Sequence, residues 1–228
     1  MATQARRGRF VTIEGPDGGG KTTQALRLRD HLERQGIPTH LTREPGGTAL
    51  GERIRELVLA RTSGEAAADP LTDALLFNAA RRQLVEEVIR PSLEAGVTVI
   101  CARFADSTLA YQGYGAGADL EHLRWLAAIA TGGLVPDLTI VLDLPVETGL
   151  ARKAPGDVTR FEAEFDLAFH RRVRAGFLAL ASADPQRCVL VDAAADPDAV
   201  AASISEAVEE RLVAPDSEPG AAGVRIHR

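Results

Sequence analysis

The sequence predicts an α/β protein: a parallel five-stranded sheet with helices on both faces. Three observations carry this expectation. Short β-branched runs alternate with longer segments of helical spacing along most of the chain, and strands that alternate with helices form parallel sheets buried on both sides. Of the 228 residues, 45% are hydrophobic, enough to build one sizeable core. A glycine-rich loop, "GPDGGGKT", separates the first strand-like run from the first helical segment. Such sheets bind ligands in the loops beyond the carboxyl ends of their strands.

Taken in order, "FVTIE" is a short apolar run and the first strand. Residues 22–35 place Ala25, Leu28 and Leu32 at helical spacing, and Gly36 stops the helix. "PTHLTREPGG" holds a brief strand and a Pro-Gly-Gly loop; "ALGERIRELVLAR" is a helix and "SGEAAADP" a connector. "LTDALLFNAARRQLVEEVIRPSLEAG" is helical as far as Pro91, which is expected to bend or end it. "VTVICARF" is a strand, and the segment from Ala105 is read as a loop running into a helix that ends at "TGG". "DLTIVLDLP" is the next strand, followed by the basic patch "ARKAPGDVTRFE" and a helix through "FDLAFHRRVRAGFLALAS". "RCVLVDA" is the last strand and "DPDAVAASISEAVEERLV" the last helix. Residues 1–213 are read as one domain, and the Pro/Gly/Ala-rich residues 214–228 as a disordered tail.

Composition excludes several classes. The formal charge of -6 gives no basic coat for nucleic acid, although a local arginine cluster remains free to bind small anions. Cys101 and Cys188 sit singly in apolar runs and read as buried strand thiols, too few and too far apart for a disulfide framework or zinc site. "MATQARRGRF" is positive but lacks a following apolar stretch. The apolar runs fall short of the roughly 20 residues that span a bilayer. The expectation is a soluble, cytoplasmic protein with no membrane partner.

Residues 15–22 fit G-x-x-x-x-G-K-[ST]. Gly15, Pro16, Asp17, Gly18, Gly19 and Gly20 form a loop whose backbone N–H groups turn inward onto phosphate oxygens, and Thr22 and Thr23 open the helix whose positive end adds to the cradle. Lys21 reaches the terminal phosphates, and the Thr22 hydroxyl is a ligand for Mg²⁺. The motif alone marks a nucleoside triphosphate site; GTPases, motor ATPases and small-molecule kinases share it.

Three further segments follow in order: "TREPGGT", "LLFNAARRQ" and "RFADSTLAYQG". With the phosphate loop they resemble the bacterial thymidylate kinases, and "VLDLP" and "RFE" extend the resemblance to about Arg174. The resemblance implies a three-layer P-loop kinase fold with a short mobile lid at about residues 151–161. It implies transfer of the γ-phosphoryl of ATP to dTMP with Mg²⁺, and a homodimer. A kinase for another monophosphate such as dUMP, or a non-catalytic nucleotide-binding regulator, are the alternatives.

The same resemblance assigns roles, each with a plainer structural alternative. Asp17 approaches the deoxyribose 3′-OH, or forms a local Asx turn. Arg43 lines the acceptor phosphate site and Glu44 organises metal-bound water or orients Arg43, or the two make surface ion pairs. Phe77 stacks on thymine, or is ordinary core; Arg81, one turn on along the same face, donates to a base carbonyl, whereas Arg82 is solvated. Arg103 clamps the acceptor phosphate with its planar fork. Ser107, Thr108 and Gln112 lie near the base edge, and Tyr111 crowds the 2′ position, or is simply packed. Arg152, Lys153 and Arg160 are the lid cations that neutralise the transferring phosphoryl, or a solvated basic face. One departure stands out: the family reads Asp-Arg-Tyr or Asp-Arg-Phe where this chain has Ala102-Arg103-Phe104. Asp106, Glu44, Glu14 or a water are the alternatives for the place of the missing carboxylate.

Overall fold

The structure is a computed structural model and describes residues 7–60, 68–153, 159–161 and 165–213. The tail, part of the connector after the second helix and residues 154–158 of the expected lid lie outside the described residues.

Five parallel strands form one sheet: β1 (Phe10–Glu14), β2 (Thr39–Arg43), β3 (Thr98–Ala102), β4 (Leu138–Asp143) and β5 (Cys188–Asp192), in the order β2-β3-β1-β4-β5. The first strand therefore lies at the centre, paired with β3 on one side and β4 on the other. Because side chains alternate along a strand, Val11 and Ile13 face one layer and Phe10 the other. The first layer packs α1 (Lys21–Arg34) and α9 (Pro197–Val208) on the sheet through Ala25, Leu28, Leu32, Val200 and Ile204. The second gathers Phe10, Val99, Cys101 and Phe104 with Leu84, Ile89 and Leu93. Thr12 and Thr139, fully buried on neighbouring strands, satisfy one another by a 2.7 Å hydroxyl hydrogen bond. Both cysteines are buried and free, as their apolar surroundings in the sequence imply.

Among the described residues the other α-helices are α2 (Ala49–Leu59), α3 (Pro70–Leu84), α4 (Arg90–Glu94), α5 (Ala105–Thr108), α6 (Leu120–Thr131), α7 (Val146–Ala151) and α8 (Leu167–Ala183). Asp69 and Asp119 cap α3 and α6 by accepting two backbone N–H groups each. One expectation is narrowed and another corrected. Pro91 does not end its helix: a π-turn at Val85–Ile89, with Arg90 N–H reaching Val85 O, takes up the register change, and α4 continues through the proline. The segment after Arg103 is not a loop: α5 passes into a second π-turn, Leu109–Gly115, which packs on α8 through Ala110, Tyr111, Phe169 and Val173. Its two glycines weaken the helical signal in the sequence. Both are needed here, since a Cβ on Gly113 would lie 2.4 Å from Leu120 and one on Gly115 2.7 Å from Phe169.

Candidate active site

The loops after all five strands meet at one end of the sheet around a cavity of about 950 Å³. At its centre is the loop between β1 and α1. Gly18 has φ 73°, and a Cβ there would lie 1.8 Å from the carbonyl oxygen of Gly149 on α7, so loop and helix touch backbone to backbone. Gly20 is the N-cap of α1 in a left-handed conformation and offers no side chain to the first-turn N–H groups. Those donors and the helix dipole are directed at an anion. Lys21 is buried, and its Nζ donates to Gly15 O at 2.9 Å and Pro16 O at 2.7 Å. Burial, and then the nearby Arg103, push its ammonium down to about 7. A phosphate anion beside it would restore the charge.

Opposite the loop stands a second cluster. Arg103 Nη2 donates to Asp17 Oδ1 at 2.5 Å, and Tyr111 Oη donates to Asp17 Oδ2 at 2.7 Å. The Arg103 guanidinium lies over the Tyr111 ring, 5.0 Å from its centroid. Burial works to raise the Asp17 carboxyl, but Arg103 and Lys21 outweigh it and hold the group well below the ordinary range. Burial also lifts the Tyr111 phenol well above its usual value, so it stays a donor. Asp17 is thus no Asx turn but the link between phosphate loop and arginine cluster. Arg103 itself has φ 68°, a conformation unusual for a side chain with a Cβ.

The walls carry other expected residues. Phe77, Ser107, Thr108 and Gln112 line the cavity, as do Pro45 and Leu59. Arg81 lines it too, yet it is 1% exposed and its donors are committed: to Glu44 at 2.7 and 2.9 Å, to Asn78 Oδ1, to Phe104 O and to Thr108 Oγ1. It braces the wall more than it presents a free fork. Glu44 meets Arg81 rather than Arg43, and both its oxygens are occupied by that pair. Arg43 is half exposed and bonded to Glu52, a surface pair. Arg82 pairs with Glu86 on the solvent side.

Of the three basic residues after β4, Arg152 and Lys153 line the cavity, whereas Arg160 is buried and spent on Val58 O at 2.5 Å and Asp73 at 2.6 Å. Arg152 donates to Ala193 O, fastening it to the loop after β5. Sequence reasoning missed Arg55, which lines the cavity from α2 and donates to Pro45 O at 2.9 Å. Its position, two turns beyond the "TREPGGT" loop, was the available signal.

The three candidate carboxylates are each engaged by other partners. Asp106 turns to Arg187, at 2.7 Å. Glu14 accepts Phe104 N–H, Ser107 N–H and the Ser107 hydroxyl, and Glu44 is held as described. Among the described residues no three of His, Cys, Asp and Glu gather into a metal cluster.

The thymidylate kinase family profile matches residues 13–204. The chain is 52% identical over 205 residues to the thymidylate kinase of Deinococcus radiodurans, covering 90% of this chain and 98% of that one. It is 55% identical to that of Thermomicrobium roseum, covering 88% and 94%. The crystal structure of thymidylate kinase from Ehrlichia chaffeensis superposes with a TM-score of 0.72 at 32% identity, over 89% of this chain and 99% of that chain. The family profile over most of the chain, with identity near one half along nearly the whole length, places this chain in the thymidylate kinase family.

Proposed function

We propose that the chain transfers the γ-phosphoryl group of ATP to dTMP, giving dTDP for dTTP synthesis. The observation that carries this reading is the pairing, in one cavity, of a phosphate loop with the Asp17–Arg103–Tyr111 cluster facing it. One binds the donor phosphates, the other an acceptor that carries both a phosphate and a sugar.

Phosphoryl transfer relies chiefly on positioning and charge stabilisation. The N-terminal N–H groups of α1 and Lys21 hold the donor phosphates. Arg103 holds the acceptor phosphate, which is already ionised and needs no general base. Tyr111 and Asp17, fixed to each other, meet the sugar, where Tyr111 leaves no room for a 2′-OH. Phe77 offers a ring to the base. Arg152 and Lys153 bring positive charge from the lid side; Arg160 anchors that segment. The donor set suits Mg²⁺, which keeps most of its waters and binds through one or two protein oxygens and the nucleotide phosphates. Thr22, exposed at the start of α1, would supply the protein oxygen. When bound, the ion neutralises charge on the phosphates.

A second copy of the chain covers the outer face of α3 and α6, where Leu71, Leu75, Trp125 and Ile129 are exposed. Release of ADP in a coupled assay over a panel of nucleoside monophosphates tests the activity: dTMP is expected to be the best acceptor. A larger kcat/KM with dUMP, or no ADP release with any monophosphate, would overturn it.

A further inference from the structure

Glu14 is a carboxylate that the phosphoryl-transfer chemistry leaves unused. It ends the central strand and is completely buried. Burying an ionised group costs several kcal/mol unless its partners compensate, and here no cation touches it. Its partners are the peptide N–H of Phe104 at 2.7 Å, the peptide N–H of Ser107 at 3.2 Å and the Ser107 hydroxyl at 2.6 Å.

Those partners surround Arg103. Its own N–H is tied to Ile13 O at 2.9 Å, and the next N–H, of Phe104, to the Glu14 carboxylate. Both peptide groups flanking the left-handed residue are thus fixed by consecutive residues of β1. A strained conformation persists only where its surroundings over-determine it. Beyond the backbone, Ser107 Oγ donates to Glu14 Oε2 and accepts from Arg103 Nη1 at 3.3 Å. One carboxylate therefore controls both the backbone of Arg103 and one edge of its guanidinium.

We propose that Glu14 is a positioning residue for the acceptor site: it holds Arg103 in its strained turn and, through Ser107, aims the guanidinium at the acceptor phosphate. The inference rests on Arg103 as the acceptor-phosphate contact. The groups facing Glu14 are Asp106 and Ser107 from α5, Arg103 and Phe104 from the turn, and Lys21 from α1.

Binding of dTMP and of thymidine, which lacks the phosphate, to the full chain tests this by calorimetry. In the parent, the phosphate makes dTMP the tighter ligand. Glu14→Gln keeps an acceptor for the two peptide N–H groups but presents an N–H donor to Ser107. At pH 8, above the value to which Glu14 is raised, it is expected to weaken dTMP about tenfold and leave thymidine within about twofold, the size of a lost charge-assisted contact. Ser107→Ala, which removes only the bridge, is expected to act in the same direction, and the double variant no worse than Glu14→Gln alone. Equal losses for dTMP and thymidine, or no loss, would mean that Glu14 is only a cap for α5, and would overturn the proposal. Should Glu14→Gln fail to fold, an unchanged dTMP-to-thymidine ratio in Ser107→Ala overturns it as well. Arg103→Ala separates the two levels: if it leaves that ratio unchanged, the reading of Arg103 fails and the proposal falls with it.

Discussion

At the scale of single residues, the site is a set of buried charges whose costs are offset unequally. Lys21 is desolvated and bonded only to two carbonyls in the described structure, which is how a lysine waits for phosphate. Lys21→Ala should keep the fold and lose turnover by roughly 3 kcal/mol or more of transition-state stabilisation; kcat within twofold of the parent would exclude this role. Glu14 is different. Burial, and then Asp106, raise its carboxyl to about 7, whereas in the unfolded chain it ionises near 4.5. Between those values the native state holds a proton that the unfolded state has released. Its contribution is therefore present at low pH and lost as pH rises through that window. Glutamine never ionises, so Glu14→Gln should gain stability relative to the parent between pH 5 and pH 8, on the order of a few kcal/mol. Melting temperatures of both proteins across that range check it; parallel curves would show that Glu14 ionises normally.

Elements meet at this site through two contacts that constrain the residues after β4. Gly18 and Gly149 bring the phosphate loop against α7, where a Cβ on Gly149 would stand 2.3 Å from Asp17 O. Gly149→Ala must push α7 outward, and Arg152 and Lys153 with it. Turnover should fall roughly tenfold to a hundredfold, as a displacement of about an ångström does; an unchanged kcat would mean that Arg152 and Lys153 do not depend on this seam. The second contact is Arg160, paired with Asp73 on α3 with both side chains about 6% exposed. Breaking one half of a buried pair costs about 3–5 kcal/mol. Arg160→Ala should therefore lower the melting temperature markedly. A large loss of kcat at unchanged melting temperature would instead return Arg160 to the phosphoryl group.

Over the whole molecule, the strand order explains where the site lies. The chain leaves β1 to one side for β2 and β3 and then crosses to the other for β4 and β5, so the loops diverge above β1 and leave the crevice that the phosphate loop fills. The opposite concern is the apolar face on α3 and α6. Trp125 is 66% exposed, with Ile129 one turn away on α6. A charge there would be desolvated in a dimer and harmless in a monomer. Trp125→Glu should thus convert the sedimenting species from dimer to monomer while far-ultraviolet circular dichroism stays the same. A parent that sediments as a monomer would exclude the interface.

Much of this was legible in the residues themselves. The cavity positions of Asp17, Arg103, Tyr111, Ser107 and Phe77 were implied by the resemblance to the family, but the five strands and the phosphate loop rest on signals carried within a few residues. These are alternation along a strand, helical spacing, and glycine where φ must be positive or a backbone must come close. What only the tertiary structure decided is how the long charged side chains are spent. Arg43, Arg81 and Arg160 look alike in sequence, but one pairs at the surface with Glu52, one is locked to Glu44, and one is buried on Asp73, far along the chain. The helical turn after Arg103, the capping by Glu14 and the place of Arg55 belong to the same class. A guanidinium or carboxylate can reach several partners, and burial makes the choice among them expensive to leave unmade. That choice depends on which elements the fold brings together, and no local pattern encodes it.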